Sequence, residues 1–153
     1  MKKLVFSFFT SLLASPLFAH AGEWLIHLDG TSRHFHRRDL NEQNWGTGFS
    51  YEFDPADRYV WAAEGDYFRD SLHDPSAYVG SSYRRRFRYL DVGVLAFIMY
   101  RESGKSTIGS PIFPGALPFL EFGSRRIRFR TTYIPRVTGR DDEALTLQLL
   151  IRL

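Results

Sequence analysis

"EALTLQLLIRL", Glu143 to Leu153, puts Leu145, Leu147, Leu149, Ile151 and Leu153 on one face of an extended chain. Thr146, Gln148, Leu150 and Arg152 fall on the other. Side chains alternate across a strand, so a period of two with unlike faces marks a strand between two different environments. Which environment receives which face decides the fold. A water-soluble sandwich or a lipocalin-like calyx turns its apolar face inward. A transmembrane barrel turns that face out to lipid and folds the polar one into its lumen.

The pattern recurs upstream. "RRIRFRTTY" sets Ile127, Phe129, Thr131 and Tyr133 against Arg126, Arg128 and Arg130. "WGTGFSYEF" sets Trp45, Thr47, Phe49, Tyr51 and Phe53 against Gly46, Gly48, Ser50 and Glu52. "YVWAAEGDYF" sets Tyr59, Trp61, Ala63 and Tyr67 against Glu64 and Asp66. The larger face is aromatic and suits lipid; the other holds charges and glycines. Arg126, Arg128 and Arg130 can pair with Glu52, Glu64, Asp66 or Asp91 across a narrow interior. In lipid every backbone group must be paired, so such strands must close on themselves.

Eight segments carry the pattern: Trp24–His36, Asn44–Phe53, Tyr59–Arg69, Ala77–Arg84, Leu90–Arg101, Ile112–Phe122, Arg126–Tyr133 and Ala144–Leu153. Most reach the ~9–11 residues of a membrane-crossing strand. The connections "DPADR", "RFRY" and "GSR" are short, and those around 37–43, 70–76, 102–111 and 134–143 are longer. Short periplasmic turns and longer external loops are the habit of outer-membrane barrels. The expectation is an all-β, eight-stranded antiparallel transmembrane β-barrel.

Met1-Lys2-Lys3, the apolar run Leu4–Phe18 and the Ala19-x-Ala21 exit read as a cleavable secretory signal over 1–21, with the barrel domain over 22–153. Without Lys2 and Lys3 the basic and acidic residues nearly balance, so the basic character is no argument for nucleic acid. No cysteine is present, which excludes a thiol nucleophile, disulfides and thiolate metal sites.

"SPIFPGALPFLEFG" is odd for a strand, because proline cannot donate to the ladder. Pro111, Pro114 and Pro118 either delay the strand to near Phe119 or leave a lateral opening through which a lipid tail can pass. Pro135 closes the seventh segment in the same way.

"NEQNWGTGFSYEF", "YFRDS", "YVG" and above all "SPIFPGALPFLEFGSRRIRFRTTYIPRV" resemble the PagP family of outer-membrane lipid A palmitoyltransferases, from about His34 to the C-terminus. The resemblance implies a small barrel, monomeric and without cofactor, in the bacterial outer membrane. It implies transfer of a long acyl chain from a glycerophospholipid donor to lipid A or lipopolysaccharide, with lipid admitted where prolines interrupt the wall, here Pro114 and Pro118. It also implies a catalytic set of His34, Asp70 and Ser71, and a chain-measuring position at Gly80. The chain departs from the family in two places. Trp24 opens a strand where the family has an amphipathic helix, and the stretch from His34 to Asn41 is short, which leaves His36 as a rival to His34.

Topology carries His34 and Asp70-Ser71 to the same external rim. A histidine there can serve as general base, with Asp70 holding its tautomer and loop amides or Arg69 meeting the oxyanion. Each residue also has a plainer reading. Asp70-Ser71 is a common turn pair, and His34-x-His36 is a pair of rim side chains or half of a metal site that lacks a third ligand. Gly46-x-Gly48 lacks the helix of a dinucleotide site. Arg84-Arg85-Arg86 is a solvated turn or a phosphate-binding one. The alternative function is a non-catalytic barrel with a structural or lipid-binding role.

Overall fold

The computed structural model describes residues 22–37, 39–107, 109–136 and 142–153. The expected signal segment lies outside them. Eight strands, β1 (Glu23–His34), β2 (Gln43–Phe53), β3 (Tyr59–Arg69), β4 (Pro75–Arg86), β5 (Asp91–Arg101), β6 (Ile112–Gly123), β7 (Ile127–Ile134) and β8 (Ala144–Arg152), close in sequential order into one antiparallel barrel. The ring is sealed by β1 on β8, from Leu25↔Arg152 to His34↔Ala144. A short helix, α1 (Gly104–Thr107), interrupts the β5–β6 loop; sequence periodicity gave no sign of it.

The faces fall as the alternation requires. Trp45, Phe49, Trp61 and Tyr67 point outward, and Ser50, Glu52, Glu64 and Asp66 are buried in the lumen. At the end that holds the short turns, outward aromatics touch across strands: Trp24 lies 5.1 Å from Tyr51 and Trp61 lies 4.7 Å from Tyr83, centroid to centroid. Arg85 covers the Tyr59 and Phe87 rings. Aromatic girdles with cations at their edge anchor a barrel at the membrane interface.

Two sequence expectations need correction. Arg126 precedes β7 and is exposed, so only Arg128 and Arg130 enter the lumen. The run Arg84-Arg85-Arg86 is not a uniform turn patch. Strand alternation buries Arg84 in the lumen, turns Arg85 onto aromatic rings and leaves Arg86 near Asp91 at 3.6 Å.

An eight-stranded barrel is just wide enough for side chains to fill. Near the turn end they do so with charge. Arg84 meets Glu52 at 2.8 Å and Asp91 at 3.0 Å, and Arg128 also pairs with Glu52. Arg130 meets Glu64 at 2.7 Å and Glu121 at 2.8 Å, with its guanidinium 4.4 Å from the centre of the Phe119 ring. All of these ions but the half-buried Asp91 are buried, so each depends on its partner.

Above that layer the lumen turns apolar. Tyr78, Leu95, Phe97 and Phe119 form a buried cluster, with Phe68, Met99, Phe113 and Leu117 packed on it. The Phe97 ring lies against Gly115, where a Cβ would fall 2.4 Å from its Cζ, while a Cβ on Gly80 would fall 2.3 Å from the Ala96 carbonyl oxygen and 2.9 Å from the Phe97 Cβ. Gly80 and Phe97 are register partners, and the glycine lets the Ala96–Phe97 backbone and the base of the Phe97 side chain approach closely.

Candidate active site

Above the aromatic layer lies a cavity of about 480 Å³, lined by Tyr78, Leu95, Phe97, Met99, Phe113 and Leu117, and at its mouth by His34, Asp70, Ser71, Arg101 and Asp142. That volume falls in the range of small-molecule pockets. It exists because the residues around it at this height are small, among them Gly30, Ser71, Gly115 and Ala144.

His34 reaches the mouth through an irregularity in β1. Leu25, His27 and Asp29 face the lumen with regular alternation. At Gly30 the register with β8 shifts: Asp29 pairs with Gln148, but Thr31 pairs with Leu147. The extra residue on the β1 side is a β-bulge, and it exchanges the faces beyond it. Ser32 and His34 therefore turn inward, where strict alternation would have put Thr31 and Arg33.

His34 Nε2 lies 2.9 Å from Ser71 Oγ and 3.3 Å from Ser32 Oγ. The Asn44 amide donates to Ser32 Oγ at 3.0 Å, and the Asn41 backbone N–H donates to the Ser71 carbonyl at 2.9 Å. Two asparagines of the "NEQNWG" stretch thus hold the two serines that face the imidazole Nε2. His36 lies beyond β1, its side chain 57% exposed against 7% for His34. It is His34, not His36, that the structure brings to Ser71.

Asp70 does not orient His34. Its Oδ1 accepts the backbone N–H groups of Leu72 at 2.8 Å and Asp74 at 2.9 Å, which closes the β3–β4 turn around His73 at φ 67°. Its Oδ2 accepts from Arg101 Nε at 2.7 Å and Ser103 Oγ at 3.2 Å. Burial pushes the Asp70 carboxyl up, but the Arg101 bond and charge and the two amides outweigh it and hold the group below the usual range. Asp70 thus fixes the turn that presents Ser71 and pins Arg101 to the mouth. The carboxylate beside His34 belongs to Asp142, whose Oδ2 stands 3.8 Å from His34 Nδ1. Sequence reasoning missed Asp142, since an Asp in a loop ahead of the last strand carries no signal of its own.

Gly80 lies on the lumen face beside the base of the Phe97 side chain and does not line the cavity. Pro114 and Pro118 point out of the wall, and Pro114 nonetheless borders the cavity, as do Ala116 and Pro135. On its β5 side β6 is paired without a break from Asp91↔Glu121 to Tyr100↔Ile112, so the strand does not start late. On its β7 side pairing runs only from Gly123↔Arg128 to Phe119↔Thr132. The Pro111 carbonyl accepts from the Arg101 N–H on the β5 side, at 2.7 Å. By alternation, the even positions Pro114 and Pro118 address β7, and there their missing donors leave the ladder open. The outer half of the β6–β7 seam is therefore unzipped, next to the cavity.

Among the described residues no cluster of three His, Asp or Glu side chains is disposed to hold a metal ion.

A closed eight-stranded barrel with an apolar, aromatic outer wall and a charged lumen defines the class: a bacterial outer-membrane β-barrel. The family model for PagP, described as the antimicrobial peptide resistance and lipid A acylation protein, matches residues 21–148, and the chain belongs to that family. In three dimensions the chain is similar to the Yersinia pestis outer membrane protein Ail in a phospholipid bilayer nanodisc. That match has a TM-score of 0.52 and 13% identity, covering 86% of this chain and 99% of that one. It is also similar to a de novo designed transmembrane β-barrel, with a TM-score of 0.51 and 10% identity over 86% and 95% of the two chains. At these identities the likeness speaks for the barrel alone. No curated protein matches the chain in sequence.

Proposed function

We propose that this PagP-family protein moves a long, palmitoyl-like acyl chain from a glycerophospholipid to lipid A, with His34 as general base. The observation that carries this reading is the 2.9 Å contact between His34 Nε2 and Ser71 Oγ at the mouth of an apolar cavity that borders an open seam in the wall. The phospholipid tail enters between β6 and β7, where Pro114 and Pro118 keep the ladder open, and comes to rest against Phe97. Its ester is then left at the rim beside His34.

The chemistry is a transesterification. His34 Nε2 takes the proton of the attacking hydroxyl as the carbonyl carbon becomes tetrahedral. It returns that proton to the departing glyceryl oxygen, so a lysophospholipid leaves and the acyl ester is rebuilt on the acceptor. The Arg101 guanidinium, pinned by Asp70, is the cation placed to meet the oxyanion. Gly80 sets the depth of the pocket indirectly, by letting the base of the Phe97 side chain in close, so that its ring reaches over Gly115 as the floor. Separated rim groups or a filled lumen would favour the alternative of a non-catalytic barrel; the contact between His34 and Ser71 and the cavity below it support the enzymatic reading.

Mass spectrometry of lipid A, with and without expression of the protein in a Gram-negative host, tests the proposal. An added acyl mass is expected, with the rate reduced ~10²–10⁴-fold in His34→Ala and strongly reduced in Ser71→Ala. No added mass, or one that persists in both variants, sinks it. Incubating the pure protein with phospholipid alone separates the two sources of the hydroxyl: an acyl adduct on Ser71 marks it as the nucleophile, and no adduct leaves attack to lipid A itself.

A further inference from the structure

We infer that Asp142 is the positioning residue of this site, holding the His34 ring with its proton on Nδ1 so that Nε2 is free to accept another. This rests on the reading of His34 as base. The His34 ring has two unlike sides. Nε2 faces two hydroxyls, Ser71 at 2.9 Å and Ser32 at 3.3 Å. Nδ1 is buried, has no hydrogen-bond partner among the described residues and looks at Asp142 Oδ2 across 3.8 Å. A lone pair on Nδ1 would face an anion, whereas an N–H there is attracted to it. The arrangement therefore favours the Nδ1–H tautomer.

Asp142 is itself held in place. Its side chain is 1% exposed; Oδ2 accepts the backbone N–H groups of His36 at 3.1 Å and Arg37 at 2.8 Å, and Oδ1 contacts His36 Nδ1 at 3.0 Å. Desolvation pushes the carboxyl up, but the Arg37 and His36 amides and the His36 ring outweigh it and keep the group below the ordinary carboxylate range. It is thus an anion throughout the neutral range. The backbone it grips is the continuation of β1, two and three residues past His34, so carboxylate and imidazole move as one unit. The other charges that bear on His34 are Glu42, Arg101 and Arg37. Asp70 is not a rival, since both of its oxygens are engaged with its own turn, Arg101 and Ser103. When His34 takes the substrate proton, the imidazolium forms against Asp142, and the attraction is greatest at that moment.

The test is Asp142→Asn, which keeps an oxygen for the two amides, in full-length protein labelled with ¹⁵N-histidine in phospholipid bicelles. In the parent the His34 ring should show the Nδ1–H tautomer, and in the variant a mixture. The kcat for acyl transfer should fall on the order of 10- to 100-fold, with KM for the phospholipid unchanged within about twofold. The acid limb of the pH–rate profile should move to lower pH, because a nearby negative charge has been removed. Asp142→Glu should recover part of the rate, and His36→Ala should leave the His34 tautomer alone. A lower rate with unchanged tautomer and pH limb would mean that Asp142 only braces the loop, and would overturn the inference; so would an unchanged rate. If the parent protein transfers no acyl chain, the proposed function fails, yet the ring spectra still decide the point: identical His34 tautomers in parent and Asp142→Asn refute it independently.

Discussion

The two halves of the lumen are built from the same eight strands and solve opposite problems. Toward the turn end, Arg84, Arg128 and Arg130 interlock with Glu52, Glu64 and Glu121, and nothing is left for a ligand to fill. Toward the loop end the same inward positions carry Phe113, Leu117, Met99 and small residues, and a cavity of about 480 Å³ remains. The ladder follows the division. Around the charged half β6 is zipped to β7, and around the cavity it is not. The lesson is that barrel width does not dictate an empty or a filled interior. Residue size and the pairing of charge decide it layer by layer, so one half can act as a fixed plug on which the other half's pocket is mounted.

If the division is right, the largest loss of stability should come from the plug. Arg130→Ala leaves Glu64 buried without its cation and Glu121 with only Arg84 and Arg128, each at 3.5 Å, and should cost about 3–5 kcal/mol in chemical unfolding from lipid vesicles. Combining it with Glu64→Gln should recover much of that loss. At the boundary, Phe97→Ala should cost about 3 kcal/mol and open the pocket toward Gly115. Its lipid A product should then carry a longer acyl chain. Gly80→Met has no room unless the Ala96–Phe97 segment shifts, which should push Phe97 into the pocket, so mass spectrometry should show a shorter chain. In the pocket half, Leu117→Ala enlarges a space that already exists and should cost only about 1 kcal/mol. A cost as large as that of Phe97→Ala would erase the distinction between floor and wall.

The smallest effect concerns the rim. The folded Asp70 carboxyl titrates below its ordinary value, which is about 3.9 in an unfolded chain. The stabilisation it gives the Ser71 turn is therefore fully present above that value and is lost as pH falls through the lower, folded one. Hydrogen exchange at the Leu72 and Asp74 amides should stay slow down to about pH 4 and quicken below it. In Asp70→Asn it should be faster at neutral pH already. Equal exchange in both proteins would remove Asp70 from the turn and leave Arg101 unpinned.

The sequence was most legible where one periodic signal held along a whole strand. β3 was found to its last residue, Tyr59 to Arg69, and the faces of β2, β7 and β8 followed from alternation alone. It was least legible where alternation breaks. Read without the bulge at Gly30, β1 turns Arg33 inward and His34 toward lipid, so the pattern that identified the strand would have misplaced its candidate base. The pairing of His34 with Ser71 was within reach, because both sit at the same rim. Asp70 as its orienter was not, because a turn Asp is free to bind its own amides instead.

The sequence by itself determined the barrel, since period-two faces of unlike polarity leave a membrane-spanning chain no other way to satisfy its backbone. It also placed the prolines of β6 where a ladder must fail. Only the tertiary structure decided on which side of β6 it fails, that Phe97 and not Gly80 forms the pocket floor, and that Asp142 stands behind His34. Those are contacts between residues distant in the chain, fixed by register and by the single shift at Gly30, and strand periodicity says nothing about how one strand slides against the next.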